Sequence, residues 1–323
     1  MKRHSLQTEI ETALNISLPS KTQKIVWPRY NDDEHNNTHH RNREVWVKRD
    51  DLIHPIISGN KWRKLSPIIT QAIKENWRHV ASFGGGYSNH LHALGYVSNK
   101  LNIQCTAIIR GDYSKHTTPM IDDLLRWNSH IIYVNKLEYA RRNEHEYIQT
   151  LKNKLHANAV IPEGGTSADT LSGVASIIGE LQSIANISNL LLPVGSGGTM
   201  AGLIHAINHK YTKAGNLMHV HGISVLKGKG YHDELIRSLL HNDKHSNFWR
   251  VHEEFHHGGY AKVSETLLNF SEFFTQKTGI DLDSVYNAKS FYALNQLLKD
   301  DTFKDNTKVC ILHTGGMQGN RKK

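Results

Sequence analysis

Lys48-Arg49-Asp50-Asp51-Leu52, followed closely by Ser58-Gly59-Asn60-Lys61-Trp62-Arg63-Lys64-Leu65, is the stretch from which the fold can be read outward. Just before it, Val45-Trp46-Val47-Lys48 reads as a strand. After it, the pattern predicts a helix over 62–75, because Leu65, Ile68, Ile69 and Ala72 recur at helical spacing on one face. His79-Val80-Ala81-Ser82-Phe83 then reads as a second strand, running into a glycine turn. Strand, amphipathic helix, strand is the rhythm of layered α/β structure. Lys61 stands in a glycine-bearing turn where the first helix begins.

The rhythm continues along the chain. A helix is predicted over 90–101, with Leu91, Leu94, Gly95 and Ser98 on a small or apolar face, and a strand over 104–110. A helix over 119–127 carries Pro119 in its first turn. A strand over 130–134, a long charged helix over 138–156 and a strand over 158–162 close this series. Next come the polar turn Glu163-Gly164-Gly165-Thr166-Ser167, an apolar helix over 174–183, and a buried strand over 190–194. That strand feeds the loop Gly195-Ser196-Gly197-Gly198-Thr199, after which a helix resumes over 199–208. A strand over 219–225, a polar stretch over 227–257 with no clear period, a helix over 267–278 and a last strand, Val309-Cys310-Ile311-Leu312-His313, complete the chain. The stretch 31–43 reads as a surface loop. The expected class is α/β with two open twisted sheets. Residues 62–161 form a smaller inserted unit, and residues 1–61 with 162–323 form a larger one.

Composition narrows the function classes. The chain has 323 residues, 38% hydrophobic and 21% charged, which suits a globular protein with a sizeable core. Its longest apolar runs are far shorter than a bilayer-spanning helix needs, so no membrane partner is expected. The start, Met1-Lys2-Arg3-His4-Ser5, lacks the pattern of a secretory signal. Cys105 and Cys310 offer neither a disulfide framework nor ligand spacing. A cytoplasmic compartment is the expectation. The net charge of +9 is scattered, apart from Arg321-Lys322-Lys323, and reads as a solvated surface rather than a nucleic-acid interface. Among 23 histidines, the pairs His39-His40 and His256-His257 suggest metal tracts, but no carboxylate or cysteine stands at ligand spacing and no metal is expected.

Three motifs carry chemistry. A strand, then Gly195 to Thr199, then a helix can converge backbone N–H groups and a helix N-terminus on an anion. Taken alone, the same loop reads equally well as a plain glycine turn. It is neither a Walker loop nor the glycine spacing of a dinucleotide fold. Lys61 alone reads as an ordinary lysine at a helix start, and an imine-forming lysine needs a depressed pKa. Gly84-Gly85-Gly86-Tyr87-Ser88-Asn89-His90 sets a polar turn at another helix start, where Ser88 or Asn89 would suffice as an N-cap. A positioned amine, a polar turn and an anion cradle are together the parts that hold pyridoxal phosphate as a Schiff base.

The ordered set Lys-Arg-Asp-Asp-Leu (48–52), Gly-Asn-Lys-x-Arg-Lys-Leu, read here as Gly59-Asn60-Lys61-Trp62-Arg63-Lys64-Leu65, Ser88-Asn89-His90, Pro162-Glu163-Gly164-Gly165, Gly195 to Thr199 and His313-Thr314-Gly315-Gly316 resembles the 1-aminocyclopropane-1-carboxylate (ACC) deaminase/D-cysteine desulfhydrase family. The likeness runs from about Leu18 to Gly316. It implies the tryptophan-synthase β-chain fold, the cofactor pyridoxal 5′-phosphate in the larger unit, a small amino-acid substrate and a homodimer. It further implies that Lys61 is the Schiff-base lysine, that Asn89 hydrogen-bonds the cofactor's 3′ oxygen, and that Ser88 faces the substrate carboxylate or the reacting carbon. The loop Gly195, Ser196, Gly197, Gly198 and Thr199 would hold the phosphate. Tyr260 and Tyr286 resemble active-site tyrosines of the family, though alone each reads as a half-buried aromatic, and Thr314 would approach the cofactor ring.

Departures from the family pattern shape the expected reaction. Asn287 follows Tyr286 where the deaminases carry a glutamate; an asparagine cannot keep a pyridine nitrogen protonated, so cyclopropane opening is disfavoured. Asp283-Ser284-Val285-Tyr286 lacks the proline usual at its second position, and Met317-Gln318-Gly319-Asn320 with a basic tail replaces an apolar ending. The expected activity is therefore D-cysteine desulfhydrase-type β-elimination to pyruvate, ammonia and sulfide. Lys61 would act as base, and Tyr260 or Tyr286 would act as acid or orient the carboxylate. ACC deamination is the alternative, and a non-catalytic cofactor-binding or regulatory homologue the second.

Overall fold

The computed structural model describes residues 5–30, 43–167, 170–182, 184, 186–210, 218–240, 246–300 and 302–321. The stretch 31–42, with His39-His40, and the last two lysines of the tail lie outside the described residues. The chain opens with α1 (Leu6–Ala13), capped by Ser5, and the antiparallel pair β1 (Thr22–Ile25) and β2 (Glu44–Arg49). It continues through α2 (Asn60–Lys74), β3 (His79–Gly85), α3 (Asn89–Lys100), β4 (Gln104–Arg110), α4 (Pro119–Arg126) and β5 (His130–Val134). Then follow α5 (Lys136–Ala140), α6 (His145–Leu155), β6 (Ala159–Ile161), α7 (Leu171–Leu181), β7 (Ile187–Val194), α8 (Gly198–Lys210) and β8 (His219–Ser224). The last elements are α9 (Tyr231–Leu240), β9 (Trp249–His252), α10 (Glu265–Thr278), α11 (Asn287–Lys299) and β10 (Lys308–His313).

These elements build two sheets, as the expected α/β class requires. One has six strands in the order β1-β2-β10-β7-β8-β9, and the other has four, β5-β4-β3-β6. Among the described residues, every strand pairing apart from β1–β2 is parallel. Parallel sheets need helices on both faces, and an inner strand such as β7 is accordingly buried over most of its length. In β7 the strand period of two divides the side chains between two cores. Leu190 and Leu192 face α7 and α8, with Val174, Ile178 and Leu203. Leu191 faces α10 and α11, with Phe270, Phe274, Phe291 and Leu294. Around the four-stranded sheet, Leu65, Ile69, Val80, Leu94 and Val97 pack with Ile10, Leu14, Ile53 and Ile57 from the first sixty residues.

The sheet order matters for the site. β10, last in the chain, lies between β2 and β7, with His313 opposite Arg49. The segments leaving β2, β10 and β7 at their carboxyl ends therefore converge, which is where open α/β sheets place ligands.

Two expectations need correction. The long helix read over 138–156 is broken: α5 passes through a 3-10 turn, Arg141–Asn143, and an extended Glu144 before α6. The break follows from tertiary anchoring, since Tyr139 and Arg142 both reach Glu163, each at 2.6 Å. The polar stretch over 227–257 contains α9 and β9, and α11 carries no one-sided apolar stripe in the sequence because it is buried on nearly every side. Among the described residues no helix is long and apolar enough to cross a membrane. Both cysteines are free and buried, and burial pushes their thiols up to about 12.

Candidate active site

Lys61 is placed by the two residues before it. The Gly59 N–H donates to the Asp50 carbonyl at 2.8 Å, with φ at +71°. A Cβ at this position would fall 1.7 Å from the Thr314 carbonyl oxygen, so no other residue fits. The Asn60 N–H donates to that same Thr314 carbonyl at 3.3 Å, and Asn60 Nδ2 donates to Thr199 Oγ1 at 2.8 Å. The start of α2 is thus tied both to the loop after β10 and to the glycine loop after β7. Lys61 Nζ donates to Asn60 Oδ1 at 2.5 Å. Burial pushes the Lys61 amine down to about 8, against an upward pull from Asp283.

The rest of α2 is clamped from below. Arg63 donates to both carboxylate oxygens of Asp50 and to Glu180 on α7, while Lys48 Nζ donates to Glu180 at 2.5 Å. The motif at 48–52 and the motif at 58–65 are therefore two halves of one buried ion network.

The glycine loop leads directly into α8, which begins at Gly198. Gly195 backs onto the Tyr286 ring, where a Cβ would lie 3.1 Å from Cε1. Ser196 Oγ lies 2.9 Å from Thr166 Oγ1, joining the loop to the polar turn after β6. Into this junction runs Lys64, which the motif pattern alone gives no role. Its Nζ donates to Thr166 Oγ1 at 2.9 Å, Ser196 Oγ at 3.1 Å and the Gly164 carbonyl at 3.3 Å. All three partners are neutral, and burial with Lys61 nearby drives this amine well below its ordinary value. The signal was available, because residues three apart on a helix share a face and Lys64 stands three after Lys61.

At the turn after β3, Ser88 Oγ accepts the Leu91 N–H at 3.2 Å and caps α3. Asn89 Oδ1 accepts from Gln318 Nε2 at 2.6 Å. The neighbouring His90 is buried. The Ser82 hydroxyl donates to the Ile161 carbonyl, so the 2.8 Å contact between Ser82 Oγ and His90 Nε2 makes Nε2 the donor. Burial, with Lys61 and Lys64 close by, pushes His90 down to about 3 and keeps the ring neutral.

Tyr286 and Tyr260 meet, with their hydroxyls 3.3 Å apart and their rings edge to face. Burial, then Tyr260, Asp283 and Glu163, hold the Tyr286 phenol well above its usual value, so it keeps its proton. Asp283 organises the turn before α11, accepting from the N–H groups of Val285, Tyr286 and Asn287 at 3.1, 2.9 and 2.9 Å. Asn287 does not stand free to meet a ligand ring. Its Nδ2 donates to Asp283 Oδ1 at 2.5 Å and to the Gly315 carbonyl at 2.6 Å, and its Oδ1 accepts the Thr314 N–H at 2.9 Å. Thr314 is held in turn, with its hydroxyl on Asn287 Oδ1 at 3.3 Å and its carbonyl on Asn60. Lys289, two residues further along α11, is also buried and donates to the Gly259 carbonyl at 2.7 Å, fixing the residue before Tyr260.

The arrangement offers two buried amines of lowered basicity, one of them beside a glycine loop and helix start, and a pair of phenols in contact, of which Tyr286 is held protonated. It can hold an anionic group and move protons at a small molecule beside it. A separate hollow of about 570 Å³, lined in part by Arg250, His252, His257 and Tyr292, contains none of these groups.

Comparison with known proteins shows the family and the fold. A family model described as pyridoxal-phosphate dependent enzyme matches residues 33–315. The chain is 30% identical to the mitochondrial bifunctional D-cysteine desulfhydrase/1-aminocyclopropane-1-carboxylate deaminase of Arabidopsis thaliana, over 85% of this chain and 73% of that protein. It is 24% identical to a D-cysteine desulfhydrase of Salmonella typhi, over 85% of this chain and 87% of that one. A solved structure of an ACC deaminase homologue superposes with a TM-score of 0.74 at 24% identity, covering 96% of this chain and 95% of the other.

Proposed function

The chain belongs to the family of pyridoxal-phosphate dependent enzymes, and from that premise we propose that it is a D-cysteine desulfhydrase-type lyase, converting D-cysteine and water to pyruvate, ammonia and hydrogen sulfide. The observation that carries this reading is the convergence of Lys61, Lys64 and the loop 195–199 through Asn60, Thr199 and Thr314.

The residues present fit pyridoxal phosphate. Lys64 Nζ is a buried amine whose hydrogen-bond partners are all neutral oxygens, and a phosphate at the adjoining glycine loop and α8 start would stabilise its charged form. Lys61 would hold the cofactor's aldehyde carbon, Asn89 its 3′ oxygen, and Gly195, Ser196, Gly197, Gly198 and Thr199 its phosphate. Thr314 would border the ring. Bound there, the cofactor supplies an electron sink for charge developing at the substrate's α-carbon.

The chain's own groups supply the proton transfers. Lys61 Nζ, with basicity lowered to about 8, takes the α-proton as a neutral amine. Tyr286, kept protonated by burial, and Tyr260, hydrogen-bonded to it, donate toward the departing sulfur or orient the carboxylate. Ser88, at the start of α3, would face the substrate carboxylate. Deamination of ACC, the activity shared by the name of the Arabidopsis relative, is the alternative substrate reading. The family resemblance adds a homodimer, and the composition a cytoplasmic compartment; sedimentation and fractionation check these.

The test is a visible absorbance spectrum with added pyridoxal phosphate, then with D-cysteine, L-cysteine, D-serine and ACC. A band that forms, responds to D-cysteine and is accompanied by pyruvate and sulfide bears the proposal out. Response to ACC alone moves the assignment to the deaminase. A bound cofactor that ignores every amino acid points to a non-catalytic homologue. Tyr286→Phe and Tyr260→Phe should each lower kcat by about 10- to 100-fold, with a smaller change in KM.

A further inference from the structure

The carboxy-terminal segment, which departs from the expected apolar ending, is tied to both sheets. Asn320 Nδ2 donates to the Leu282 carbonyl at 3.2 Å, beside the turn that starts α11. Arg321 Nη2 lies 2.6 Å from Asp123 Oδ2 on α4, and His92 Nε2 on α3 lies 2.8 Å from the same oxygen. Between these anchors, Gln318 Nε2 donates to the Tyr87 carbonyl at 3.1 Å and to Asn89 Oδ1 at 2.6 Å.

The chemistry of these partners fixes which way each amide points. A backbone carbonyl has no proton, so the Gln318 atom beside Tyr87 O must be the nitrogen. Arg321 Nη2, which can only donate, sits 3.4 Å from the other Gln318 atom and requires an oxygen there. The Asn89 atom facing Gln318 Nε2 must then be oxygen, and the Asn89 NH2 group must point away. No described protein group accepts from Asn89 Nδ2. Beside it stands Gly316 with φ at +97°, where a Cβ would come within 2.9 Å of Nδ2. The glycine keeps that side clear.

We propose that Gln318 is a positioning residue, which holds the Asn89 carboxamide with its two N–H donors turned to the ligand side. This rests on the reading that Asn89 serves a cofactor oxygen, since an electron-rich oxygen needs a donor and the flipped amide would present an acceptor. The segment 317–321 thereby couples the relative placement of the two sheets to the state of one amide.

Gln318→Glu and Gln318→Leu test this. A carboxylate offers only acceptors to Tyr87 O and Asn89 Oδ1, so it drives the Asn89 amide to turn over, whereas leucine merely releases it. In the cofactor-free protein, urea midpoints for Gln318→Leu, Asn89→Ala and the double variant should be non-additive. With pyridoxal phosphate, Gln318→Glu should weaken retention about 10-fold and Gln318→Leu by less. The pH midpoint of the visible band should also rise in Gln318→Glu, because the cofactor oxygen loses a donor and becomes more basic. Asn89→Ala should show the same rise, and adding Gln318→Glu to it should change nothing further. Additive urea midpoints, or a band and affinity unchanged in Gln318→Glu, would overturn the proposal. If the wild-type chain forms no visible band, the cofactor reading of Asn89 fails and takes the proposal with it. The cofactor-free coupling would still be measurable, so the two failures are distinguishable.

Discussion

Arg63 grips Asp50 with two parallel hydrogen bonds, Nε to Oδ2 at 3.1 Å and Nη2 to Oδ1 at 2.8 Å, in a pair wholly removed from solvent. It joins α2, which carries Lys61, to the end of β2, and Glu180 with Lys48 extends it to α7. An ion pair of this kind is weak as a source of net stability but costly to break on one side.

Arg63→Met should therefore destabilise the fold by about 3–5 kcal/mol, because the buried Asp50 carboxyl would lose its cationic partner and keep only the Ser20 hydroxyl. Arg63→Met with Asp50→Leu should cost less than the two single changes together. Denaturant unfolding of the four proteins checks this, and additive losses would contradict it.

Glu180 gives the network a pH signature. Burial pushes its carboxyl up, but Arg63 and Lys48 outweigh that and hold it below its ordinary 4.5. A depressed folded value contributes stability that is present above the unfolded value and lost as pH falls through the folded one. Unfolding free energy should thus fall as the pH drops below the ordinary carboxyl value and through the lower folded one, and Glu180→Gln should flatten that limb. An unchanged slope in the variant would rule out this carboxylate as its source.

Lys61 should capture pyridoxal phosphate as the neutral amine. With its basicity lowered to about 8, the capture rate should rise with pH below that value and level off above it. Stopped-flow absorbance at constant ionic strength gives the profile. Lys61→Ala should form no visible band and release no pyruvate; retained turnover would refute its role.

Lys64→Met should lower affinity for pyridoxal phosphate by about 10- to 100-fold while changing affinity for pyridoxal, which lacks the phosphate, by only about 2-fold. Fluorescence titration with the two compounds separates the outcomes. Equal losses would mean that Lys64 shapes the cleft without meeting the phosphate.

Asn287→Asp is isosteric but sets a second carboxylate against Asp283 Oδ1 and the Gly315 carbonyl, both now partners of an amide N–H. It should destabilise the protein by about 2–4 kcal/mol at pH 8 and by less at pH 5, where one of the two carboxyls takes a proton. A loss independent of pH would show that packing, not charge, sets its cost.

The sequence by itself determined the α/β class, most of the strands and the set of polar turns, because those rest on local period and local turn chemistry. The runs 79–83, 104–110 and 309–313 are apolar enough to be strands wherever they fold, and the turns before α2, α3 and α8 carry their own glycine or capping residues. Motif order also singled out Lys61 and the loop 195–199 as candidates without a contact in view. What the sequence could not supply was the set of partners reached across long separations. Asn287 followed Tyr286 and so was read as facing a ligand, yet its amide is spent on Asp283, Thr314 and Gly315. The helix expected over 138–156 breaks because Glu163 draws Tyr139 and Arg142 toward it. Lys64 and Gln318 gained their significance only when Ser196 and Asn89, distant in the chain, came within hydrogen-bond reach. Local propensity fixes what a segment becomes; which buried polar atom must pair with which is decided only when the sheets close and water is excluded.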